Sequence, residues 1–79
     1  MTSYLTIKIL GVLAATVGPM PDWNTCTSYL PDFQKRADIL FEHKDLEVYK
    51  DLQKRFPDIK RTDIVHECVE SNTKPEIGK

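Results

Sequence analysis

A chain of 79 residues allows one small domain. A domain of that size buries only about 60% of the surface its unfolded chain exposes, so its core is thin without a staple. Eleven basic residues stand against twelve acidic ones, for a formal charge of −1, and the two signs are interleaved. That pattern argues against a phosphate-tracking face and against nucleic acid as the main partner.

Met1 to Lys8 carries the α-amine and one lysine with no acid, Ile9 to Val17 is an unbroken apolar run, and Pro19 and Pro21 follow. This is the layout of an export signal: a positive start, a short apolar centre and a forced stop. Residues 1–18 are therefore expected to be a signal peptide or a signal-anchor helix. A cut before Ala15 is acceptable, whereas a cut after Gly18 is opposed by Pro19. As an anchor, residues 4–17 would reach roughly 21 Å across a core of about 30 Å. Lys8 and Trp23 would then be its membrane-interface residues. In either case the flanking positive charge places the rest of the chain outside the cytoplasm, in the periplasm or beyond. The competing reading of Ser3 to Ile9 is a strand, with Tyr4, Thr6 and Lys8 on one face and Leu5, Ile7 and Ile9 on the other.

Residues 19–25 read as a linker, because both prolines bias their predecessors away from helix. Residues 26–72 read as a small helical domain. Its first helix is expected from Ser28 to about Glu42, with Leu30, Phe33, Ala37, Leu40 and Phe41 on one face. A second runs from Asp45 to Phe56, with Leu46, Tyr49, Leu52 and Phe56 inward. A third starts at Thr62, with Ile64, Val65, Cys68 and Val69 on one side. Residues 73–79 read as a flexible tail. The expected fold is all-α: an N-terminal apolar signal or anchor helix, then a two- or three-helix bundle stapled by one disulfide.

Two cysteines suit one bridge in an exported protein, Cys26 to Cys68. The loop it would close is worth roughly 4 kcal/mol of chain entropy. In the cytosol the same residues would be two buried thiols. His43, His66 and the cysteines lack zinc-ligand spacing, and His66 and Cys68, two apart on a helix, would point away from each other. Three glycines make no phosphate loop, and the acid pairs Asp38/Glu42 and Glu47/Asp51 read as solvated faces. No catalytic, cofactor-binding or metal-binding residue is expected, and no small-molecule substrate.

The segments Leu40-Phe-Glu-His-Lys44 and His66-Glu-Cys-Val-Glu-Ser71, behind a signal-like N-terminus, resemble the periplasmic antiholins (lysis-inhibition proteins) of T-even-type phages. Cys26 has no counterpart in that family's pattern. The resemblance implies a small helical periplasmic domain that binds the periplasmic part of a holin and delays lysis. The expected function is thus a small exported, non-enzymatic interaction module that binds and inhibits another protein outside the cytoplasm. The alternative is a single-span accessory subunit of a membrane complex, associated with the membrane through residues 4–17.

Overall fold

Residues that read as an export signal form a β-hairpin instead. The computed structural model describes residues 2–78; Met1 and Lys79, the outer ends of the expected signal and tail, lie outside them. Strand β1 spans Thr2–Ile9 and strand β2 spans Val12–Met20. The competing strand reading of Ser3 to Ile9 is the one the chain adopts. Thr2, Tyr4, Thr6, Ile7 and Ile9 are residue types that fit a pleated, buried surface. The same low charge that suggests an apolar signal is what a strand buried on both faces requires.

Leu10 and Gly11 turn the hairpin with φ of 52° and 81°. Positive φ at both central positions is the type I′ hand, which matches the twist of the strands it joins. Leu10 is a rare residue for that conformation. Its N–H donates to the Asp63 carbonyl at 2.9 Å, which ties the hairpin tip to the start of the last strand. The β1–β2 register slips twice, once near Gly18. Gly18 has φ of 142°, and a Cβ there would lie 3.1 Å from the Tyr4 ring and 3.2 Å from the Ser3 carbonyl.

Helix α1 runs Trp23–Glu42, so it begins at Trp23 rather than at Ser28. Asp22 caps it: its carboxylate accepts the Thr25 N–H at 2.7 Å, and that bond holds the Asp22 carboxyl below its usual range. The earlier start places Cys26 inside the first turns of the helix and Pro31 well within it. Helix α2 runs Glu47–Arg55, close to the expected second helix. The expected third helix is a single 3₁₀ turn, Arg61–Asp63, followed by strand β3, Ile64–Ser71. Here alternation won over helical spacing: Ile64, His66 and Cys68 share one face, and Val65, Glu67 and Val69 share the other.

The fold is therefore α+β rather than all-α: a three-stranded antiparallel sheet of order β2-β1-β3 with two helices. Strand β1 pairs with β3 from Thr2 opposite Ser71 to Ile9 opposite Ile64. Because β2 and β3 both run against β1, the chain must cross over between them, and the crossover lays α1 against one face of the sheet. No described helix is long and apolar enough to cross a membrane. The expected anchor across residues 4–17 is thus replaced by the sheet. Of its two expected interface residues, Lys8 pairs with Glu67 across the sheet at 3.4 Å and Trp23 opens α1.

On the helix-covered face the core consists of Leu5, Met20 and Cys26, with Ile7, Val17, Leu30, Phe33 and Cys68 packed against them. Cys26 and Cys68 form a disulfide, Cα atoms 6.1 Å apart, that joins α1 to β3. The helix-only core expected from sequence survives mainly at Tyr49 and Ile64; Tyr4, Leu5, Leu13 and Met20, from the supposed signal and linker, supply much of the rest. The second face of the sheet is not bare. Residues 73–78, expected to be a flexible tail, lie over it: the Gly78 N–H donates to the Leu13 carbonyl at 2.7 Å. Pro75 and Glu76, together with Thr6, Leu13 and Val69, line a shallow pocket of about 400 Å³ there.

Candidate functional site

The interface between α1 and the sheet is closed at one end and open at the other. At the closed end Leu5 and Cys26 have no exposure at all. Further along, α1 is held to the start of β3 by Arg61. Its Nε donates to the Asp38 carboxylate at 2.7 Å, its Nη2 to the Gln34 carbonyl at 3.1 Å, and its Nη1 to the Ile64 carbonyl at 3.0 Å. The planar guanidinium spreads its donors over three nitrogens in a fixed fork, and here each nitrogen bonds a different acceptor on α1 or β3.

Helix α2 is attached more lightly. Its N-terminal cap is Leu46, which offers no side-chain oxygen. The ring of Tyr49 is buried and meets Phe41 of α1 edge to face, centroids 5.3 Å apart. The remaining inner side chains of α2, Leu52 and Phe56, are only half-buried.

Between α1, α2 and the sheet lies a groove of about 820 Å³, within the usual range of roughly 300–1,000 Å³ for binding sites. Its floor includes Ile7, Ile9, Ile64 and His66; its walls include Phe33 and Leu40 from α1 and Leu52 and Phe56 from α2. The rim is apolar as well: Ile39 is 40% exposed, Leu46 43% and Val48 66%. Single exposed apolar side chains are ordinary, but a contiguous set around a concave surface marks an interaction site.

Three charged side chains also line the groove: Arg36, Asp51 and Arg55. The Arg36 guanidinium lies over the Phe33 ring, 5.1 Å from its centroid. Neither arginine is in an ion pair among the described residues, where the bridges are Lys8–Glu67 and Arg61–Asp38.

His66 sits on the floor with its ring centroid 6.4 Å from that of Phe33. Its Nδ1 atom is buried without a hydrogen-bond partner among the described residues. Burial first, and then the nearby positive charge of Arg61, hold its pKa below 6.5; Asp38 opposes them in part. An imidazole in those surroundings is kept neutral.

The reactive side chains singled out from sequence do not converge on this groove. Cys26 and Cys68 are bonded to each other, so neither is a thiolate or a metal ligand. No group of three His, Cys, Asp or Glu side chains is placed to hold a metal among the described residues. What the sequence did not reveal is the floor. The walls were legible as amphipathic helix faces, but Ile7, Ile9, Ile64 and His66 meet only because β1 pairs with β3, which sets Ile7 opposite His66 and Ile9 opposite Ile64. Comparisons with models of protein families, with curated proteins and with solved structures give no match to this chain.

Proposed function

We propose that this protein is a small non-enzymatic interaction module that binds and regulates another protein, and that the groove between α1, α2 and the sheet is its docking surface. The observation that carries this reading is the open apolar rim. A small ligand seated on the floor would be largely enclosed but would leave Ile39, Leu46 and Val48 in water, whereas a protein partner covers floor and rim together. The Cys26–Cys68 bridge supports work in an oxidising compartment outside the cytoplasm, where such bonds persist. Residues 2–20 form the hairpin of the sheet, so a leader cut at Gly18 would remove the central strand. The resemblance to the lysis-inhibition antiholins offers one concrete partner, the periplasmic part of a holin.

The test is site-specific photocrosslinking in the cells that naturally contain the protein, from Val48 on the rim and from Lys35, an exposed residue that does not line the groove. The proposal expects one protein to crosslink from Val48 and not from Lys35. The same products from both positions, or none from Val48, would count against it. A holin as that product would identify the lysis-timing role.

A further inference from the structure

Resting on the reading of the groove as a docking surface, we infer that its occupant is an amphipathic α-helix of another protein, carrying an acidic side chain beside its apolar face. The backbone argues for a helix. The walls are helices whose main-chain groups are used internally. The floor is the face of the sheet, to which all three strands present side chains (Ile7, Ile9, Ala14, Ile64 and His66), while their N–H and C=O groups point along the sheet rather than up from it. An extended peptide entering the groove would therefore find no free backbone partners and would bury its own N–H and C=O groups unsatisfied. Strand addition needs a sheet edge, and the unpaired edges here are the outer sides of β2 and β3, which face along the sheet rather than up from the floor. A helix brings its hydrogen bonds with it and presents apolar anchors at three- and four-residue steps to a hydrophobic groove.

The charges argue for the acid. Arg36 and Arg55 each follow an acid by one helical turn, Asp32 and Asp51, and at that spacing an ion pair is available. Neither pair is formed. Arg36 instead lies over Phe33 in the groove wall, its Cζ 5.1 Å from the ring centroid. A guanidinium packed on an aromatic face keeps its edge donors for a carboxylate, which it can bind through two parallel bonds. With two arginines against the single Asp51, the lining carries a net positive charge. An acidic group flanking the apolar face of the incoming helix is the complement of that arrangement.

The experiment uses the intact oxidised protein and a panel of helical peptides with one Leu- and Ile-bearing face, differing only in Glu, Gln or Lys beside it. Methyl NMR signals of Ile7, Ile64 and Leu52 report on the groove. The inference predicts that the Glu peptides shift these signals and bind at least roughly tenfold more tightly than the Lys peptides, the scale of one charge-assisted hydrogen bond. Arg36→Glu should reverse that preference. Arg36 is exposed, so the variant should keep its circular dichroism spectrum, and Arg55→Glu provides an independent reversal. Equal binding of Glu and Lys peptides would overturn the acidic-helix inference while leaving the docking surface standing. If no peptide moves the three methyl signals, both fail. Two further results overturn the inference by naming another occupant. One is saturation by sodium dodecanoate with no peptide binding; the other is a dimer whose groove signals are already shifted in the protein alone.

Discussion

The two ends of the α1–sheet interface are built from similar residues and behave as different materials. At the closed end Leu5, Met20 and Cys26 meet beneath the first turns of α1, and the Cys26–Cys68 bond fixes helix to strand. At the open end Ile7, Ile9, Phe33 and Leu40 face a groove, and the second wall is a nine-residue helix without a side-chain cap. The difference is one of cover rather than of hydrophobicity. It shows how a short chain can separate tasks: one end supplies the stability that a small core lacks, and the other keeps apolar surface uncovered. A domain stapled everywhere would have no groove, and one open throughout would not hold its fold.

The largest expected effect lies at the staple. Replacing both cysteines (Cys26→Ser with Cys68→Ser) should remove about 4 kcal/mol of stability, given a sequence separation of 42. Urea unfolding of the variant beside the oxidised protein checks it, and a change under about 1 kcal/mol would mean that packing alone secures the closed end. Next come matched truncations of one leucine from each end. Leu5→Ala should cost about 3 kcal/mol, as expected for a fully buried leucine. Leu52→Ala should cost about 1 kcal/mol, because half-buried atoms lose less transfer energy and leave no sealed cavity. Equal costs in the same urea assay would erase the contrast.

A smaller effect is expected from His66 on the groove floor. Its pKa is lowered in the folded state, so below pH 6.5 the unfolded chain takes up protons more readily than the folded one. Stability should therefore fall as pH drops from 6.5 toward the folded-state pKa and then level off. Asp22 acts in a lower window: its capping bond contributes stability above pH 3.8 that is lost as pH falls through its depressed folded value. Thermal unfolding across pH 4.5–7 should show the upper slope in the parent and a flatter line in His66→Gln. The same slope in both would exclude His66 as its source. A partner seated in the groove would deepen the burial of His66 and should steepen the dependence.

How much of this was legible in the sequence follows from which periodicities compete. Helices α1 and α2 were readable because Phe33, Ala37 and Leu40, and Tyr49, Leu52 and Phe56, repeat at helical steps among charges. The hairpin was not, because Ile9 to Val17 is apolar at every register. Such a run fits a membrane helix, a signal or a buried strand equally until its partners are known. The alternation from Ser3 to Ile9 was visible and correct, but nothing local raised it above the signal layout. Strand β3 was lost for a related reason: Ile64, Val65, Cys68 and Val69 satisfy a three- and four-residue pattern as well as a period of two. Only pairing with β1 decides between them. The disulfide partners were evident from their number. The groove was not, since it exists only where the long-range floor meets the local walls.

Native-state amide hydrogen exchange on the oxidised protein tests the division between a stable end and an open one most directly, because it reads the opening free energy of each segment. The account predicts the slowest exchange at Leu5 in β1, at Glu67 and Val69 in β3, which face Thr6 and Tyr4, and in the turns of α1 that contain Leu30, with opening energies that track global unfolding. Amides of α2, from Lys50 to Phe56, should exchange through local opening at a clearly lower free energy. Protection of α2 equal to that of Leu5 and Val69 would contradict it.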